Sequence, residues 1–286
     1  MSWVFPESDG TVSMLIDLVR SEERLLIREF GNAGVDLRLV NVDRVPLDLD
    51  RINEELLADA VLVRVMSHVK AITVARLLNM MGVATINRGD ALDLSWNKAL
   101  TLARLKSLGI PTVPSKLVMG YANGDPEYPL IVKPISGSWG RLIGLVRSGE
   151  ELGLLLSHRR LMGGQHSLVL IQPFIGDGTD YRLFVIGGEV VAAMMRRPSA
   201  DDWRSNVARG GRAFAIKPSP EMEELAVKAV EALGLDYAGV DLIYSEDRGY
   251  MVNEVNGVPE FRGLMSVTNI NIAGRLVDYV VGVVRR

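Results

Sequence analysis

A small α/β domain followed by a longer α+β portion is the architecture that this sequence predicts, on three observations. Over residues 1–92 strand-like apolar runs alternate with helical stretches that stop at Gly34 and Gly82, the pattern of a parallel sheet. Further along, apolar runs meet in pairs around Gly187-Gly188 and across the polar turn 245–249, the pattern of hairpins. With 286 residues, 48% of them apolar, the chain has enough hydrophobic surface for two or three packed units.

The first unit begins with a short apolar run from Ser13, a helix over 22–33 and a strand over 36–42. A strand over 60–65, a helix over 69–81 and a strand over 84–87 repeat it loosely. No G-x-G-x-x-G follows a strand, so a dinucleotide fingerprint is absent. A helix over 93–108 closes at Gly109, before a proline that cannot continue it, and opens a second unit, 93–170. In that unit 129–134 reads as a buried strand carrying Lys133, followed by a loop through Ser136 to Arg141. A strand over 168–172 leads into the third unit, 171–286. It holds a hairpin of 180–186 with 189–195, an amphipathic helix over 221–233, strands over 237–243 and 250–255, and a last helix from about 272.

A net charge of −3 gives no global reason to expect nucleic acid. The absence of cysteine excludes disulfides, a thiolate nucleophile and thiolate metal sites, and three scattered histidines make no metal pattern. Residues 1–10 lack a basic start followed by an apolar core, and Arg275 and Asp278 interrupt the apolar stretch 273–284. No membrane association and a cytoplasmic location are therefore expected.

Three positions carry the strongest chemical signal. On a strand Glu254 and Asn256 point to one face, and Asp241 is a carboxylate amid Val240, Leu242 and Ile243. Either these are ordinary polar positions of a surface hairpin, or the three oxygens hold Mg²⁺. Lys98 and Lys133 can bring compact positive charge to phosphates, although Lys98 also suits a solvated helix face. The glycines of the following loop let backbone N–H groups approach anionic oxygens, but no Gly-Lys-Ser/Thr makes it a Walker loop. Gln172, Phe174 and Ile175 leave a strand towards a Gly-rich turn, as a hinge that reads an adenine edge or as a plain linker. Arg182, Arg196 and Arg197 lie on the hairpin, where guanidinium groups either clamp a phosphoryl group or carboxylate or stand exposed.

This order of residues, Lys, Lys-Pro, Gly-rich loop, hinge, Arg, Asn, Asp and Glu-x-Asn, resembles the ATP-grasp superfamily over about residues 93–286. More narrowly, Lys133-Pro134 with Gly137 to Leu142, Asn206 to Gly211, Asn253 to Asn256 and Glu260-Phe261 look like the LysX/ArgX ligases. The resemblance implies an ATP-grasp fold in which two subdomains clamp ATP behind an α/β domain. It also implies joining the α-amino group of glutamate or α-aminoadipate to the C-terminal glutamate of the acidic carrier protein LysW, in arginine or lysine biosynthesis, by a homo-oligomer. Carried over by position, Lys98, Lys133, Gly137, Ser138, Trp139, Gly140, Arg141, Leu142, Ile143, Gln172, Phe174, Ile175, Asp180, Arg182 and Asn206 would contact ATP. Asp241, Glu254 and Asn256 would bind Mg²⁺, as two ions. Arg197, Val207, Ala208, Pro259, Glu260, Phe261, Arg262 and Gly263 would shape the amino-acid site, with Arg182 and Arg197 acting on the reacting groups.

Gly263-Leu264 departs from the Gly-Phe of glutamate-type members and from the Asn-Ser/Thr of aminoadipate-type members, lying nearer the former. An acidic carrier calls for a basic docking surface. His158-Arg159-Arg160 and the group Arg196, Arg197, Arg204, Arg209 and Arg212 are candidates, with solvated loop charges as the other reading. Two competing functions stand beside the main one: a RimK-type ligase adding glutamate to a ribosomal-protein or peptide C-terminus, and a noncatalytic nucleotide-binding regulator.

Overall fold

The computed structural model describes residues 10–51, 56, 58–121, 126–137, 140–199, 202–205 and 210–285, which build three sheets. The first holds β1 (Thr11–Ile16), β2 (Asp36–Asn41), β3 (Ala60–Val63) and β4 (Thr85–Ile86), parallel throughout in the order β2-β1-β3-β4. α1 (Ser21–Asn32) and α2 (His68–Met80) are its crossovers. All six residues of β1 are buried, as befits a parallel strand covered on both faces. Val12, Met14 and Ile16 meet Leu26 and Phe30 of α1, whereas Leu15 meets Val74 and Leu78 of α2.

The single helix expected over 93–108 is two. α3 (Gly89–Trp96) stops at Asn97, whose backbone is extended and whose side-chain oxygen accepts from the N–H groups of Ala99 and Leu100 at 3.1 and 3.2 Å, starting α4 (Lys98–Ser107). An asparagine that can cap a new helix competes with the ladder of the old one. α3 begins at Gly89 because α2 passes there: a Cβ on Gly89 would sit 2.5 Å from the Arg76 backbone nitrogen.

The second sheet is antiparallel. It runs β5-β8-β6-β7, from β5 (Lys116–Met119), β6 (Leu130–Pro134), β7 (Gly144–Val146) and β8 (Leu168–Pro173). α5 (Gly149–Leu161), capped by Ser148 and unforeseen in the sequence pattern, lays Leu152 and Leu156 against Leu130, Val132 and Ile171. A unit boundary at 170/171 cuts β8, so the change of sheet comes between Pro173 and Asp180.

The third sheet has the order β11-β10-β9-β12-β13, formed by β9 (Asp180–Ile186), β10 (Glu189–Arg197), β11 (Arg212–Ala215), β12 (Tyr237–Ser245) and β13 (Gly249–Asn256). The β9–β10 hairpin turns at Gly187 and Gly188, both at positive φ of 56° and 84°, as a two-residue primed turn needs. α6 (Pro220–Ala232) covers Leu183, Val185 and Val240 on one face. On the other face Phe184, Ile186 and Met194 share a core with α7 (Arg262–Thr268), α8 (Ile272–Val284) and the first sheet. Asn87 fastens that junction. Its amide donates to the carbonyls of Tyr237 and Gly257 at 2.9 and 2.7 Å, and its oxygen accepts from the N–H groups of Asp236 and Tyr237 at 2.6 and 3.2 Å. Among the described residues no single helix is long and apolar enough to cross a membrane.

Candidate active site

The second and third sheets face each other across a cleft that gathers most of the residues singled out in the sequence. Lys98, at the first turn of α4, reaches it because Asn97 breaks the helix, and the Lys98 N–H donates to the Ile135 carbonyl at 2.8 Å. Its ammonium donates to the Gly137 carbonyl at 2.8 Å and lies 3.1 Å from the Glu254 carboxylate. Lys133, mid-strand on β6 and 3% exposed, donates to Asn253 Oδ1 at 2.9 Å. Burial pulls the Lys133 pKa down to about 8, further lowered by Lys98 and partly restored by Glu254.

Asn253 is the cleft residue that the strand pattern concealed. Asp241 pairs with Glu254 and Leu242 with Val252, so the register slips by one and Asn253 is the extra residue of a β-bulge. Asn253, Glu254 and Asn256 thereby all line the cleft, where strict alternation turns Asn253 away. The legible clue was the lysine, since a charge buried among Ile131 and Val132 demands an acceptor.

Asp241, on β12, accepts from Arg182 Nε, from Arg182 Nη2 at 2.7 Å and from Arg196 Nη2 at 2.9 Å. Burial penalises this carboxylate, but the two guanidinium groups outweigh it and hold its pKa below the usual range. Arg196 is gripped in turn by Asp180 at 2.6 and 2.8 Å, and the Ser205 hydroxyl donates to Asp180 at 2.7 Å. Burial, with the negative charge of Asp241, pushes the Asp180 pKa up against the pull of Arg196. His68 Nδ1 lies 3.2 Å from Ser136 Oγ, and its ring stacks on Trp96 at 4.2 Å. Burial and the nearby Lys98 take the His68 pKa down to about 4, leaving the ring neutral at pH near 7.

Gly137, Gly140, Arg141, Ile143, Gln172, Phe174, Ile175, Pro259, Glu260 and Gly263 also line the cleft. Ser138, Trp139, Asn206, Val207, Ala208 and Arg209 lie outside the described residues. Four of the residues singled out in the sequence do not line the cleft. Leu142 adopts a left-handed φ of 58° with its side chain half exposed, and its carbonyl, not its side chain, is used, by Arg159. Phe261 is fully buried, edge-on to Phe184 at 5.9 Å, and belongs to the core. Arg262 points to Ser21 Oγ at 3.2 Å. Arg197 is exposed and off the cleft; strand alternation gives the inward place to Arg196. The basic clusters are likewise thinned: Arg159 and Arg196 are buried, Arg204 is chelated by Asp202 at 2.9 Å, and exposed Arg197 and Arg212 stand opposite each other in register.

The donors suit a hard cation. Asp241 and Glu254 are directly paired across β12 and β13, and the buried side-chain nitrogen of Asn256 has no hydrogen-bond partner. Since amide O and N exchange places by a simple flip, that position can present an oxygen. Two carboxylates and an amide oxygen form an all-oxygen set of the kind Mg²⁺ prefers. Among the described residues no group of three His, Cys, Asp or Glu side chains gathers as a metal site here or elsewhere, so the set depends on the Asn256 amide as its third donor.

A RimK-like ATP-grasp domain model matches residues 99–280, and a LysX preATP-grasp domain model matches residues 12–94. The chain is similar to the glutamate–LysW ligase ArgX of Sulfurisphaera tokodaii, 34% identical over 277 residues that make up 94% of this chain and 97% of that protein. It is 31% identical over 277 residues to the alpha-aminoadipate–LysW ligase LysX of the same organism, covering 93% and 96% of the two chains. The crystal structure of a RimK domain ATP-grasp protein from Sphaerobacter thermophilus superposes with a TM-score of 0.75 at 25% identity, over 94% of this chain and 99% of that one. Matched in the same domain order along nearly its whole length, and carrying its charged groups on the cleft between the sheets, the chain belongs to the RimK-like ATP-grasp ligases.

Proposed function

We propose that this chain joins the α-amino group of glutamate to the C-terminal glutamate of an acidic LysW-type carrier protein, forming ADP through an acyl phosphate. The observation that carries this reading is the near end-to-end likeness to a glutamate–LysW ligase, at 34% identity, in a chain whose cleft is lined by Lys98 and Lys133 and by Pro259, Glu260 and Gly263. A second substrate has its own support. The chain is also 31% identical to an alpha-aminoadipate–LysW ligase, whose amino acid is one methylene longer than glutamate. One methylene in a pocket is worth only about 1–3 kcal/mol of discrimination, which allows both amino acids.

ATP-grasp ligases use ATP with Mg²⁺. In the proposed reaction Lys98 and Lys133 neutralise phosphate oxygens as the carrier carboxylate attacks the γ-phosphate in line. Arg182 holds a fixed cation at the same oxygens, aimed by Asp241. Asp241, Glu254 and Asn256 would hold Mg²⁺, whose contribution is further charge neutralisation on the phosphates. The backbone after Gln172 forms the hinge: Phe174 N–H donates to the Pro129 carbonyl at 3.0 Å, and the Gln172 amide donates to Ser115 Oγ at 2.7 Å. The amino group of the incoming amino acid then attacks the acyl carbon, forming the amide as the C–O bond breaks and inorganic phosphate leaves, with loss of the amine proton, inside a cleft that keeps water from the acyl phosphate.

Intact-mass analysis of LysW incubated with this protein, Mg-ATP and either amino acid is the test. A mass gain of one glutamyl residue is expected; no gain with either amino acid would reject the reading and favour a RimK-type acceptor. A pH experiment addresses the lysine pair. Lys133 loses its charge as pH rises through about 8, whereas phosphate oxygens are already ionised there, so ATP affinity should fall from pH about 7 to about 9.5. Calorimetric titration of ATP across that range checks it, and Lys133→Arg should flatten the dependence.

A further inference from the structure

The 259–263 loop is fastened mainly by residues far from it in sequence. Arg64, directly after β3 and with no exposed surface, donates to the Pro259 carbonyl at 3.2 Å. Its guanidinium lies 5.6 Å from the centroid of the Phe261 ring. Arg20, just before α1, reaches Glu260 at 3.2 Å. The Arg262 N–H donates to Glu22 at 3.3 Å, and its side chain to Ser21 at 3.2 Å. Four successive loop residues are thus each held by the first domain. Behind them Glu23, also without exposed surface, ties the two arginines together: Arg64 Nε donates to it at 3.1 Å and Arg20 Nη2 at 2.7 Å.

The charges of this cluster balance, Arg20, Arg64 and Arg262 against Glu22, Glu23 and Glu260, so it offers no surplus cation to an anionic ligand. A buried ion pair is also a poor source of stability, because desolvation consumes most of its Coulomb energy. What such a cluster supplies is placement. We propose that Arg20, Glu22, Glu23 and Arg64 are positioning residues of the amino-acid site: a charged strut through which the first domain fixes the 259–263 loop, so that the amino acid is held in the frame of the first sheet while the nucleotide is held across the cleft by the second and third. This rests on reading 259–263 as the amino-acid loop.

The test uses the full chain with LysW, Mg-ATP and glutamate, and the variants Arg20→Ala and Glu22→Ala. Arg64→Met serves as a third variant only where it folds, since it leaves the buried Glu23 carboxylate with Arg20 alone. Each of the first two variants should raise the KM for glutamate about tenfold, with the KM for ATP and kcat within about twofold of the parent. Hydrogen exchange of the amides of 260–263 should rise by about the same factor, with β9 and β12 unchanged. Unchanged loop exchange with an unchanged glutamate KM overturns the strut, and so does a parallel rise in the ATP KM, which marks a general structural loss. If the parent protein transfers no amino acid to LysW, the reading of function fails, and the loop exchange alone still decides whether the strut exists.

Discussion

Asp241→Asn should lower kcat/KM for ATP about 10³-fold, the upper range for losing one preorganised electrostatic group. The carboxylate does two things at once. It is one of three oxygen donors that fit a divalent cation, and it aims Arg182 into the cleft through two hydrogen bonds. Asparagine keeps the shape and one acceptor but removes the charge, so both roles fail together. Arg196 retains Asp180, whereas Arg182 has no second carboxylate among its described partners; stability should fall by about 3 kcal/mol, as for a broken buried ion pair. Steady-state kinetics with a thermal melt separates the two effects. Activity within about tenfold of the parent in a folded protein would show that Asp241 is not at the reacting phosphates.

Asn87→Leu should cost about 4 kcal/mol or more of folding free energy. The side chain has no exposed surface and answers four backbone groups: the carbonyls of Tyr237 and Gly257 and the N–H groups of Asp236 and Tyr237. Leucine fills a similar volume and answers none of them, and each buried group left without a partner costs about 1–3 kcal/mol. The loss falls where the first domain meets the third sheet, so denaturant unfolding should show a lower midpoint. A midpoint unchanged from the parent would mean that backbone or water takes over these bonds.

The sequence displays its elements most clearly where burial follows a simple period. β1 sends alternate residues to two covered faces, and α6 sends one stripe to the third sheet, so each is visible as a pattern. α5 was hidden because its leucines do not keep to one side: Leu152 and Leu156 are buried while Leu154 is 60% exposed. Among site residues, Lys133 was legible because a charge in an apolar strand is costly wherever it lies. Asn253 was not, since a bulge is a relation between two strands that neither contains alone. The choice of Arg196 over Arg197 has the same origin: both sit at the end of β10, and only the register with Asp180 tells which one turns inward. Arg20 and Arg64 act on residues about two hundred positions away, a separation at which composition and spacing carry no information.

The shared core has a consequence for how the chain comes to be folded. One face of the first sheet, Val12, Met14 and Leu62, is closed by Ala273, Leu276, Val277 and Val280 of α8. A ribosome emits the first sheet long before that helix, so for most of synthesis this apolar face is covered by Leu26 and Phe30 of α1 alone. The first domain can collapse early around α2 but completes its core only when the final helix arrives, a contact that spans almost the whole chain and closes slowly. Until residues 272–284 are made, the part of this face that α8 covers stays open to solvent.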